Sequence, residues 1–255
     1  MKAVLRKLLD TVGLRGAAQR VKRWLHARGW VRWEPLVPHD AFSESCDQAI
    51  ASLRAADHQF GDYLEFGVSR GTAMACMHHA LRRAGLGRVR VFGFDSFEGM
   101  PEESAGQGWR PGLYASTIGA TRAYLREAGV DMGGVTLTKG WFKDTLTEET
   151  KSSLGLGRAS LILLDCDIYS ATKEALWFCE PLIGDETVLI FDDWGWQADK
   201  GEIGQREAFR EFLDTFPQFQ IAQELPGYIP QARIFRVARI PGADESPRPG
   251  ALAAE

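Results

Sequence analysis

Cysteine and histidine are scarce in this chain, at four and five of 255 residues. Cys46, Cys76, Cys166 and Cys179 stand in hydrophobic segments without a CxxC pair, which removes both a zinc-ligand spacing and a disulfide framework. They are expected as buried thiols of a cytoplasmic protein. His58, His78 and His79 fall on predicted helices away from strand ends, so a histidine-based catalyst is not expected. No uninterrupted apolar run reaches the roughly 18 residues that a spanning helix needs. No secretory pattern opens the chain, and no internal repeat is found. The GxGxxG loop that receives a dinucleotide pyrophosphate is also missing, which places a nicotinamide-dependent oxidoreductase last among the readings.

What is present is enough apolar material, 45% of the residues, for one large core. The net charge of −4 is unevenly spread: residues 1–33 hold nine Lys and Arg against the single acid Asp10, leaving the remainder acidic. Amphipathic helices are expected in that basic segment. They would fold on their own domain or a dimer mate, or touch an anionic membrane as a peripheral contact. The acidic body carries no nucleic-acid-reading motif, so no nucleic-acid partner is expected.

From residue 43 onward helix and strand signals alternate. A helix over Ser43–Asp57 with Ser43 as cap leads into a strand at Tyr63–Val68. Further strands are predicted at Val89–Asp95, Val135–Trp141, Ser160–Cys166 and Thr187–Asp192. Helices are predicted from Gly71 to Arg83 and over Ser116–Ala128, Thr147–Ser153, Ser170–Glu180 and Gln205–Thr215. Such alternation calls for a parallel sheet covered on both faces. Gln218–Glu224 and Ile234–Ile240 close it as an antiparallel hairpin. The expected architecture is α/β, a doubly wound, mostly parallel seven-stranded Rossmann-like sheet over residues 43–240. A basic helical extension (1–42) precedes it and a disordered tail (241–255) follows. The long loop Ser96–Leu113, with Trp109 as an apolar wedge, is a candidate lid.

Three strand ends carry the chemistry. Glu65-Phe-Gly67-Val-Ser-Arg-Gly71 joins the first strand to the first helix, where glycines admit a ligand close to the backbone and the helix presents free N–H groups. An acid there disfavours a pyrophosphate and suits a ligand with an amine and a carboxylate beside a nucleoside. S-adenosylmethionine is such a ligand. Asp95, with Ser96 after it, stands where an acid accepts ribose hydroxyls, or else serves as an N-cap. Trp141 flanks adenine or fills core. Asp165-Cys-Asp167 and Asp192-Asp193 end neighbouring strands, and so many carboxylates together require a hard divalent cation, Mg2+ or Mn2+.

These stretches resemble the macrocin O-methyltransferase family over roughly residues 40–240. The resemblance rests on Leu64-Glu65-Phe66-Gly67-Val68 with Gly71, the specific run Asp95-Ser96-Phe97-Glu98-Gly99-Met100-Pro101, Leu164-Asp165-Cys166-Asp167-Ile168-Tyr169, and Ile190-Phe191-Asp192-Asp193-Trp194-Gly195. Cys166 departs from the family, which usually has Gly there. The resemblance implies a class I, Mg2+-dependent O-methyltransferase of sugar hydroxyls in antibiotic biosynthesis. It implies Asp165, Asp192 and Asp193 as metal ligands, and Glu65, Gly67 and Asp95 as S-adenosylmethionine contacts, to which Gly71, Ser96 and Trp141 are joined. Asp167 is implied as general base beside Asp165. The expected partner is a small hydroxylated acceptor, a vicinal diol among the candidates, and the expected assembly a homodimer. The competing reading is a non-catalytic scaffold that keeps the fold and is held in place by residues 1–33.

Overall fold

The structure is a computed structural model and describes residues 36–56, 58–196 and 203–242, together with Val21, Trp24 and Leu25. The apolar runs form one sheet. β1 (Asp62–Phe66), β2 (Val91–Asp95), β3 (Val135–Lys139), β4 (Ala159–Leu164) and β5 (Ile183–Phe191) are mutually parallel. β7 (Arg233–Arg239) runs antiparallel between β5 and β6 (Phe219–Leu225). The strand order is β3-β2-β1-β4-β5-β7-β6, the doubly wound, mostly parallel seven-stranded sheet with an antiparallel C-terminal hairpin that the alternation predicts. Strand order reverses between β1 and β4, and such a switch opens a crevice beyond the carboxyl ends of the strands.

Two helical layers cover the sheet. α1 (His39–Ala55), α2 (Thr72–Arg83) and α3 (Ile118–Glu127) bury one face. α4 (Phe142–Thr145), α5 (Glu148–Leu154), α6 (Tyr169–Cys179) and α7 (Gln205–Thr215) bury the other. Strand side chains alternate between faces: Tyr63 packs into the α1–α2 core, whereas Leu64 and Phe66 pack with α6 and α7. Local chemistry sets the helix starts, with the side chains of Thr117 and Thr147 accepting the backbone N–H groups of Ala120 and Thr150. All four cysteines are free and buried.

Several boundaries differ from the sequence expectation for identifiable reasons. The first helix begins at His39, after Pro38 with its φ of −69°, so Ser43 lies inside the helix and is not its cap. Phe42 of its first turn is fully buried. β1 stops at Phe66 and β3 at Lys139, because Gly67 (φ 91°) and Gly140 (φ 154°) turn the chain out of the sheet. β5 begins at Ile183, ahead of the expected Thr187, after a short 3₁₀ turn, Glu180–Leu182. The basic segment 1–33, apart from Val21, Trp24 and Leu25, and the tail beyond Gly242 lie outside the described residues. The expected membrane contact and dimerisation through the N-terminal segment, and tail disorder, fall there. No helix among the described residues is long and apolar enough to cross a membrane.

Candidate active site

The carboxyl ends of β1, β2, β4 and β5 open into a cavity of about 540 Å³, a size that suits a small-molecule site. Of the residues singled out by sequence, Gly67, Asp95, Ser96, Trp141, Asp165, Asp167, Asp192 and Asp193 line it. Glu65 and Gly71 do not. Glu65 shares the β1 face of Tyr63, whose hydroxyl donates to its Oε2 at 2.6 Å, and it is 0% exposed. The alternation of a strand therefore points this carboxyl into the α1–α2 core, beneath the turn. Burial pushes it up to about 8, against the Tyr63 hydroxyl and the Met74 N–H, which favour the anion.

Gly71 serves packing and conformation. It takes φ 84° at the start of α2, and a Cβ there would meet the Leu125 side chain of α3 at 3.0 Å. Gly67 is on the wall, yet its necessity is also internal: a Cβ would lie 1.7 Å from the Asp165 carbonyl oxygen. The absence of that side chain lets the β1 and β4 tips approach each other. Asp95 ties the same region together. Its Oδ2 accepts the Ser69 N–H at 2.7 Å and its Oδ1 accepts the Phe97 N–H at 2.5 Å. Burial raises its carboxyl and these N–H bonds oppose the rise.

Asp165, Asp192 and Asp193 each present a carboxylate oxygen within 4.8 Å of the others. Burial raises all three carboxyls, and mutual repulsion adds to the rise at Asp165 and Asp193. Asp193 Oδ2 is buried without any hydrogen-bond partner. An unpaired buried carboxylate oxygen is costly unless a proton or a cation meets it. The donor set, all hard oxygens, fits Mg2+ or Mn2+. Asp167 stands beside them, pushed up to about 7 by burial, Asp192 and Asp95, at a backbone φ of 63°. Ser69 and Tyr114, two other wall residues, also hold positive φ, at 44° and 63°, and such conformations persist where surrounding structure enforces them.

The loop after β2 is closed on itself, with the Met100 N–H bonding the Leu113 carbonyl at 2.9 Å and the Gly112 N–H bonding the Met100 carbonyl at 2.8 Å. Gly99 permits this closure, because a Cβ there would lie 2.3 Å from the Leu113 oxygen. The loop carries Trp109 onto the cavity wall. Trp109 stacks on Trp196, from the segment after β5, with ring centres 4.6 Å apart. Leu36, Tyr114, Lys143 and Glu174 also line the cavity, and none belongs to a motif that would announce it. Cys166 reaches the wall as well, its Sγ 3.5 Å from the Thr172 hydroxyl.

Residues 44–215 match the model of the family described as macrocin-O-methyltransferase (TylF). A curated Streptomyces olivaceus protein, 8-demethyl-8-(2,3-dimethoxy-alpha-L-rhamnosyl)-tetracenomycin-C 4'-O-methyltransferase, is 34% identical over 157 residues, 58% of each chain. The match thus spans less than two thirds of that relative. Among solved structures, the O-methyltransferase NovP superposes with a TM-score of 0.64 at 23% identity, over 78% of this chain and 80% of its own. CalS11, a calicheamicin methyltransferase, does so with a TM-score of 0.57 at 23% identity, over 76% and 77%. At these identities the two structures speak to the fold, while the family match covers most of the sheet and every aspartate of the cluster: the chain belongs to the macrocin O-methyltransferase family.

Proposed function

We propose that the protein is an S-adenosylmethionine-dependent, Mg2+-dependent O-methyltransferase acting on a sugar hydroxyl of a glycosylated natural product. The observation that carries this reading is the Asp165, Asp192 and Asp193 cluster on one wall of the cavity that Gly67 and Asp95 also line. The name of the Streptomyces olivaceus relative, a methyltransferase of a rhamnosyl tetracenomycin, supports the acceptor class.

Gly67, Asp95, Ser96 and Trp141 would hold the methyl donor, and Asp165, Asp192 and Asp193 the cation. When bound, the donor supplies an electrophilic sulfonium methyl and the cation supplies charge neutralisation that favours alkoxide over alcohol. The chain's own groups do the rest. Asp167 takes the hydroxyl proton of the acceptor onto its carboxylate, the role for which a buried, raised carboxyl near neutrality is suited. Asp95 accepts hydrogen bonds with the oxygen lone pairs that the Ser69 and Phe97 N–H groups leave free. The Trp109–Trp196 stack presents an apolar surface that excludes water and favours the less polar face of a sugar or its aglycone.

The test is methyl transfer from labelled S-adenosylmethionine to a panel of rhamnosyl and related glycosides. Turnover is expected with Mg2+ and lost in EDTA. Asp165→Ala and Asp192→Ala are expected to abolish it while leaving calorimetric binding of the methyl donor nearly intact. Equal activity in EDTA and in Mg2+ would refute the metal role.

A further inference from the structure

The aspartate cluster rests on two buried side chains that lie outside the family motifs quoted above. β4 and β5 cease to pair after Leu164 and Phe191. Beyond that pair the Asp192 N–H still reaches the Leu164 carbonyl, at 3.2 Å, but the ladder then ends while Asp193 has yet to be placed. Gln205, the first residue of α7 and 0% exposed, fills the gap. Its Oε1 accepts the Asp193 N–H at 2.9 Å and its Nε2 donates to the Leu164 carbonyl at 2.9 Å. One amide therefore joins the residue before Asp165 to the backbone of Asp193.

On the far side, Tyr228 in the β6–β7 connection donates its hydroxyl to Asp192 Oδ1. Its ring lies edge-on to Phe42 of α1, with centroids 4.7 Å apart, so the hydroxyl is aimed by core packing. A buried amide or phenol costs free energy unless its polar atoms are bonded. Both polar groups are spent on the same three aspartates or their immediate backbone. Meanwhile Asp193 Oδ2 stays buried and unpartnered, as a ligand atom held open would be.

We propose that Gln205 and Tyr228 are positioning residues that hold the oxygens of Asp165, Asp192 and Asp193 at the spacing a divalent cation requires. The inference rests on the cation reading given under the proposed function. Loss of groups that orient metal ligands in this way typically weakens binding of the ion about ten- to a hundredfold.

Mn2+ alone, titrated calorimetrically into the full-length protein without methyl donor, tests it. Tyr228→Phe removes a single oxygen and keeps the ring against Phe42, and Gln205→Leu removes both amide bonds. Each variant is expected to bind Mn2+ about ten- to a hundredfold more weakly than the native chain, with affinity for S-adenosylmethionine unchanged. Native Mn2+ affinity in both variants overturns the inference while leaving the cation reading standing. No Mn2+ binding by the native chain overturns both. Should Gln205→Leu fail to fold, Tyr228→Phe alone decides.

Discussion

Glu65→Gln isolates the cost of a buried carboxyl in this fold. Glu65 titrates at about 8 in the folded protein against 4.5 as its ordinary value. Between those two values the folded chain binds more protons than the unfolded one, so native stability falls as pH rises through that window. Below pH ~4.5 the group is neutral in both states and costs nothing of this kind. At pH 7 the cost is about 3 kcal/mol, and from pH 5 to pH 8 the native chain loses about 4 kcal/mol through this group. Glutamine keeps an acceptor for the Tyr63 hydroxyl and has no charge to desolvate, although its amide N–H group costs about 1–3 kcal/mol if it finds no partner. That amide cost does not vary with pH. The decisive quantity is therefore the difference between native and variant stability across pH, read from urea unfolding at pH 5, 6, 7 and 8. The variant is expected to gain about 4 kcal/mol on the native chain between the extremes. Parallel curves would refute the assignment of a neutral buried Glu65. The same variant separates core from contact: because Glu65 does not line the cavity, S-adenosylmethionine affinity should stay near native. A loss of tenfold or more, about 1.4 kcal/mol, would make Glu65 a ligand contact after all.

Two further substitutions probe the site. Asp167→Asn should lower kcat by about 10²–10⁴ while Mn2+ affinity measured by calorimetry stays native; a matching fall in Mn2+ affinity would make Asp167 a ligand and not a base. Gly67→Ala places a Cβ 1.7 Å from the Asp165 carbonyl oxygen at a backbone φ of 91°, so the β1 and β4 tips must separate. Soluble yield or thermal midpoint should fall steeply, and an alanine variant of native stability and Mn2+ affinity would show that the tips are not locked together there.

The sheet and its chemical end were legible in the chain because both are local signals. Continuous apolar runs such as Leu161–Leu164 are buried on both faces, and Gly or Asp follows β1, β4 and β5 where each strand must stop. Acidic residues at successive strand ends converge whenever those strands are parallel neighbours, which groups Asp165, Asp167, Asp192 and Asp193 from sequence alone, while the choice of Asp165, Asp192 and Asp193 among them rests on the family resemblance. Tertiary structure decided matters that depend on partners far along the chain. Strand alternation sends Glu65 to the face that carries Tyr63, and only the helix layer above β1 says that this face is closed. The insertion of β7 between β5 and β6 brings Tyr228 to Asp192, a separation of 36 residues that no periodicity encodes. Gln205 looks like an ordinary helix start until the β4 and β5 tips stand beside it. Strand and turn identities follow from short-range sterics and burial pattern; which polar group satisfies which follows from packing, and packing is settled only when the whole sheet has assembled.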